Sequence, residues 1–339
     1  MKKIISIVLM LIVSTSLFAK DSYRVAWSHY TGWEPWGYMQ DSGVLKKWAD
    51  KYDIEIELTL VNDYIESINL YTSGTFDAVT VTNMDALTIP AVGGIDSTAL
   101  IIGDFSNGND GILAKNASSV KDLKGRDIKL VMLSVSHYML ARALDKNGLR
   151  ERDVKLVNTS DADIASIFMT DKNSAIVTWN PPLAQARTSK GAKMLFDSSD
   201  IAGEIIDMML VKTDANVKLK KALVGAWYET MKEMKTKKMI AYMAKESAAT
   251  VPEFEAQLKT TKMFYKPNAA VAFIQSNDLK NTMKMVRDFS FDKGLFGDGA
   301  PDANFIGISY PDKSVLGNKK NVKLRFDDTY MKMAAEGKL

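Results

Sequence analysis

Cysteine is absent from the 339 residues. Disulfides, a cysteine nucleophile, thiolate zinc or iron–sulfur ligation and a lipid-modified cysteine are therefore excluded. Histidine is nearly absent as well. His29 and His137 are the only two, too few for a histidine-rich metal site. A hydrolase needs a nucleophile beside a positioned base, and neither histidine lies in a nucleophile motif such as G-x-S-x-G. An excess of one charge is also missing, with 44 Lys and Arg against 41 Asp and Glu for a net +3. Phosphate tracking needs a concentrated basic face, so nucleic acid is not the expected partner.

Long apolar runs are missing beyond the N-terminus. Lys2 and Lys3 precede the apolar run Ile4 to Val13, followed by Ser14-Thr15-Ser16 and Ala19. This is the pattern of a secretory signal peptide over residues 1–19, too short for a comfortable membrane span. Its removal takes two lysines and no acid, so the charge falls from +3 to +1. The expectation is an exported, soluble protein of a Gram-negative periplasm that is not a lipoprotein.

The rest is ordinary globular material, 46% hydrophobic and 25% charged, and its length suggests about two domains. Strand and helix patterns alternate, which predicts an α/β architecture with mostly parallel sheets. Strands are expected at Tyr23 to Ser28, Glu55 to Val61 and Phe76 to Val81, with a helix from Pro35 to about Tyr52. Asp63 and Glu66 have capping-box spacing and open another helix. The turn-forming run Ser106-Asn107-Gly108-Asn109-Asp110-Gly111 marks a hinge. A second unit follows, with strands at Ile128 to Leu133, Val154 to Val157, Ala175 to Trp179 and Lys193 to Phe196. Glu204 to Val211 reads as an extended return. From Asn216 to about Phe291 the chain is helical, with Ala222, Trp227 and Met231 as core. Most of the 19 methionines read as gap-filling core residues.

Several segments carry a family resemblance. Asp122-Leu123-Lys124-Gly125-Arg126-Asp127-Ile128 resembles the start of the second lobe in periplasmic solute-binding proteins. Asn173 to Pro182 (NSAIVTWNPP) is similar to a later segment of that lobe, and Gly74-Thr75-Phe76-Asp77-Ala78-Val79 to a step in the first. The resemblance is to the nitrate, sulfonate, taurine and thiamine-precursor branch serving ABC importers. The segments at Trp33 to Tyr38, Val61 to Ser67, Thr82 to Leu87 and Ser106 to Gly111 look like the urea-carboxylase-associated subgroup. The resemblance implies a two-lobed Venus-flytrap fold of type II, α/β with mixed, mainly parallel sheets and a helical C-terminal region. Residues 20–106 with 204–339 would form one lobe and 107–203 the other, with hinge crossings near 104–111 and 198–207. It further implies a monomer that binds a small molecule, works with a permease and an ATPase, needs no cofactor or metal and is not an enzyme. A thiamine-pyrimidine synthase of similar fold resembles a cysteine-rich active site that this chain lacks.

Ligands of open α/β sheets bind beyond the carboxyl ends of the strands. The loops at those ends hold Trp27, Ser28, Trp33, Glu34, Trp36, Asn83 and Asp85 in the first lobe. The second lobe offers Ser136, His137, Trp179 and Asn180, while Asn107 and Asp207 stand at the crossings. Aromatic, amide and acidic groups dominate and no arginine is present. A planar cation suits this set, stacking on an aromatic face and donating paired hydrogen bonds to a carboxylate. A urea-like amide could use the same groups. An anion held at the helix start near Ser136, or a thiamine-like ring, remains an alternative. Some of these residues also have a purely structural use: Glu34 and Asp85 as helix caps, Trp33 and Trp36 as core.

Overall fold

The computed structural model describes residues 20–339; the expected signal peptide, residues 1–19, lies outside the described residues. The strands in chain order are β1 (Asp21–Trp27), β2 (Ile54–Leu60), β3 (Ala78–Thr82), β4 (Ser97–Ser106), β5 (Asp110–Ala114), β6 (Asp127–Leu130) and β7 (Lys155–Asn158). They continue as β8 (Ala175–Trp179), β9 (Lys193–Asp197), β10 (Ile206–Lys212), β11 (Thr261–Met263), β12 (Gly307–Ser309), β13 (Val315–Leu316) and β14 (Val322–Phe326).

They form two sheets. The larger has the order β13-β12-β14-β4-β10-β3-β1-β2, with β11 added against β4, and the smaller has the order β7-β6-β8-β5-β9. Parallel pairs arise where helices connect the strands: β1 with β2 and β3, and β6 with β7 and β8. Antiparallel pairs arise where the chain changes sheets. β5 runs against β8 and β9, and β10 runs against β3 and β4. Both sheets are therefore mixed, and helices cover them, as an α/β fold requires.

The chain leaves the larger sheet after Ser106 and returns at Ile206. The two crossings touch. The Ser106 and Ser198 hydroxyls lie 2.6 Å apart, and the Gly108 amide donates to Ser198 Oγ at 2.7 Å. Asn83 locks the return: its side-chain amide donates to the Glu204 carbonyl at 3.1 Å, and its oxygen accepts from the Ile206 amide at 3.1 Å.

The predicted helix over 35–52 is two helices, Pro35–Asp41 and Val44–Lys51. Gly43 divides them with a left-handed φ of 80°, a conformation glycine adopts without strain. Asp63 does cap the next helix, accepting from the Glu66 amide at 2.9 Å. Trp36 stacks on Trp227 with centroids 5.0 Å apart, which ties the first helix to the long helix Val217–Met231. Gly225 on that helix makes room for Trp48, since a Cβ there would lie 2.3 Å from the indole. Ala222, Trp227 and Met231 are buried. The helical C-terminal region is interrupted by β11, which adds an edge strand to β4. No helix among the described residues is long and apolar enough to cross a membrane.

Candidate functional site

A narrow cavity lies between the two sheets. Its walls are aromatic: Tyr30, Trp33 and Tyr64 from the larger sheet's side, Trp179 from the smaller. Each is placed by local structure. Tyr30 and Trp33 share a tight turn closed by the Trp33 amide on the Tyr30 carbonyl at 2.8 Å. Tyr64 opens the helix capped by Asp63. Trp179 ends β8, opposite Asp110 at the start of β5. The rings form a continuous belt, with centroids 5.1 Å apart for Tyr30 and Trp33, 5.7 Å for Trp33 and Tyr64, and 5.5 Å for Tyr64 and Trp179. These are the separations of favourable tilted and edge-on aromatic pairs.

The polar lining is Thr82, Asp110 and Asp207. Asp207 in β10 stands between Thr82 on one neighbouring strand and Asp104 on the other. Behind the wall, Tyr64 and Thr82 donate to Asp85 Oδ2 at 2.7 and 2.8 Å. Tyr30 donates to Asp104 Oδ1 at 2.9 Å. Asp85, Asp104, Asp110 and Asp207 are all buried, and each keeps one carboxyl oxygen without a hydrogen-bond partner.

Burial dominates their ionisation. It pushes Asp85 up to about 6, against the lowering hydrogen bonds from Tyr64 and Thr82. It pushes Asp110 up to about 7, with the Ser106 hydroxyl opposing and the charge of Asp85 assisting. Asp104 rises to about 7 by burial, opposed by the bonds from Tyr30 and Asp207. Asp207 is raised well above the carboxylate range by burial and then by the charges of Asp104 and Asp110. Among the described residues, no lysine, arginine or histidine lines the cavity or lowers any of these four groups. Uncompensated buried carboxylates are costly, so burial favours the protonated form of these groups.

The other expected site residues are placed as follows. Trp33, Trp179 and Asp207 line the cavity, and Asp85 sits one hydrogen bond behind it. Ser28 and Ser136 are buried with unpartnered hydroxyls. Trp27 is buried, edge-on to His29 at 5.6 Å. Glu34 is fully buried and bonded to His29 Nδ1 at 2.8 Å. The burial of His29 lowers its pKa, but the hydrogen bond and charge of Glu34 outweigh it and the net shift is upward. Trp36 belongs to the core stack and Asn83 to the return crossing. The Asn107 amide donates to the Thr260 carbonyl at 2.9 Å, and the Asn180 amide to Asn109. His137 accepts from the Leu133 amide at 3.2 Å, and burial with the charge of Lys293 lowers it to about 4, so it is neutral. Tyr30, Tyr64, Asp104 and Asp110 are the site residues that sequence reasoning missed. Asp110 was hidden inside a run of turn formers, and Asp104 inside a strand without apolar–polar alternation.

Two α/β units joined by paired crossings around a central cavity define the two-lobed periplasmic binding protein fold. The structure is similar to the alkanesulfonate-binding protein SsuA from Xanthomonas axonopodis pv. citri bound to MOPS, with a TM-score of 0.68 and 16% identity over 84% of this chain and 96% of that one. It is equally similar to the periplasmic aliphatic sulphonate binding protein SsuA from Escherichia coli, with a TM-score of 0.68 and 18% identity over 83% and 95%. A family model described as NMT1/THI5 like matches residues 46–233. The chain belongs to the NMT1/THI5-like family. A curated relative, the putative aliphatic sulfonates-binding protein of Escherichia coli (strain K12), is 30% identical over 92 residues, 26% of this chain and 29% of the relative. The chain thus spans under a third of that relative's length in the match.

Proposed function

We propose that this chain is the substrate-binding component of an ABC importer, capturing a small planar nitrogen-rich cation of the guanidinium type between its lobes for delivery to a permease and its ATPase. It would act in the periplasm as a monomer without cofactor or catalysis. Residues 20–106 with 204–339 would move as one lobe and 107–203 as the other, hinged near 104–111 and 198–207.

One observation carries the choice of ligand: an aromatic belt encloses Asp110 and Asp207, with no basic side chain in the lining. Guanidinium stacks on aromatic faces and donates paired hydrogen bonds to carboxylates. It offers N–H donors around its whole edge, which matches carboxyl oxygens left unpartnered on several sides. Urea offers the same shape without the charge. The resemblance to the urea-carboxylase-associated subgroup favours the same ligand class. Contacts to both lobes exist only when the cleft is closed, so the ligand shifts the population toward the closed form.

The names of the relatives favour a second reading, a small anion such as a sulfonate. A sulfonate needs donors, and among the described residues the lining offers no basic side chain. An anion would also face Asp110 and Asp207 unless both carry protons.

A thermal-shift series on mature protein separates the readings, using guanidinium, urea, nitrate, taurine and a thiamine pyrimidine at millimolar concentration. A ligand that binds the folded state raises Tm by mass action. A shift with guanidinium supports the cation reading, and a shift with taurine or nitrate alone overturns it.

A further inference from the structure

Asp104 and Asp207 are direct cross-strand partners on β4 and β10. They are 0% and 2% exposed, and each has an unpartnered Oδ2. Gly32 closes the outer side of Asp104, since a Cβ there would fall 2.3 Å from Oδ2. Neither solvent nor a counterion reaches the pair from that direction. The titratable groups facing the pair are Tyr30 from the first loop, Asp110 from β5 and Tyr265 from the segment after β11; Asp85 lies beyond Asp110. All are acidic or phenolic, and none is a cation.

Two carboxyls in buried contact cannot both ionise without a positive partner. One therefore carries the proton and donates it to the other. Burial and the nearby charge of Asp110 push both carboxyls upward, so the pair holds one proton between them. A bound cation supplies the charge that the proton supplied, and the proton then has no role.

We propose that the Asp104–Asp207 pair makes this cleft a proton–cation exchange site, in which closure on a cationic ligand expels the shared proton to solvent. The inference rests on the cation reading above. The balance is simple: the O–H bond within the pair breaks, its proton passes to water or buffer, and the carboxylate left on Asp207 at the cavity wall accepts a hydrogen bond from the ligand. Affinity for the cation then rises with pH, about tenfold per pH unit for each proton released.

The test is calorimetry of the full mature chain with guanidinium chloride at fixed ionic strength, from pH 5.5 to 8.5, in buffers of differing ionisation enthalpy. The expected result is release of about one proton per ligand near pH 7 and the corresponding slope in affinity. In Asp207→Asn, guanidinium binds weakly, and proton release and the pH slope of affinity fall to what Asp110 alone contributes. Infrared spectroscopy of the unliganded wild type gives an independent readout: a protonated carboxylic acid band at pH 7 that vanishes on adding guanidinium. Guanidinium binding without proton release, with no such band, overturns the exchange and leaves the cation reading standing. Absence of guanidinium binding, with taurine affinity that rises as pH falls, overturns both.

Discussion

Asp110→Asn removes a charge from the cleft while keeping the size and shape of the side chain. Burial lifts the Asp110 carboxyl from its ordinary 3.8 to about 7. At about 1.4 kcal/mol for each pH unit, that rise corresponds to about 4 kcal/mol against the ionised, folded, ligand-free state. The sign follows from proton counts. Between pH 4 and 7 the folded protein holds this proton and the unfolded chain does not, so stability falls as pH rises through that window and levels off above it. Asparagine has no proton to lose. The stability difference between variant and wild type should therefore grow in the variant's favour by about 1 to 3 kcal/mol between pH 4.5 and pH 8. The upper figure is a ceiling, because opening of the lobes rehydrates the carboxyl. Costs that do not depend on pH cancel in this comparison. Urea unfolding of unliganded protein at the two pH values measures it. The same variant should bind guanidinium roughly 10- to 150-fold more weakly, the worth of a charge-assisted hydrogen bond of about 1.5–3 kcal/mol. A stability difference independent of pH, together with unchanged affinity, would refute the electrostatic account of this cleft.

Four further substitutions probe the site and its support. Trp179→Ala removes one wall of the aromatic belt and should raise the Kd for the ligand at least tenfold, about 1.4 kcal/mol by calorimetry. Trp36→Ala deletes the stack on Trp227 and should destabilise by about 3–5 kcal/mol in urea unfolding, with ligand affinity unchanged in the folded fraction. Gly225→Ala drives a methyl into the Trp48 ring and should cost about 1–3 kcal/mol in the same assay. Glu34→Gln removes the carboxylate that raises His29, so the His29 pKa followed by NMR should fall.

The architecture was legible where local signals and tertiary packing agree. The Asp63 cap and the Ala175 to Trp179 strand follow from residue spacing and local chemistry alone. β4 was not legible, because both its faces are covered and its apolar run shows no alternation. β5 was masked by the turn-forming residues that begin it. In the site, Trp33, Trp179 and Asp207 could be found because they stand at strand ends or crossings. Asp104 and Asp110 could not, since their importance comes from β4, β5 and β10 meeting at the crossings, a relation between segments far apart in sequence. The charge of the ligand was left open by the sequence, and the orphaned carboxyl oxygens are what now weigh on it.

The strand order has a consequence for how the chain assembles. The smaller sheet is drawn from one continuous stretch, Asp110 to Asp197, whereas β4 needs β10 on one side and β14 on the other. The smaller unit can therefore close as soon as its own residues are free. The larger must hold β1 to β4 in waiting, with the edges of β4 exposed, until Ile206 and then Val322 arrive. Such long-range closure is slow, and an open edge is where a half-made sheet recruits the wrong neighbour. A chain stopped before Val322 has everything the smaller sheet needs, but β11 alone, at Asp104 to Ser106, covers that side of β4, and Ser97 to Ala99 stay open.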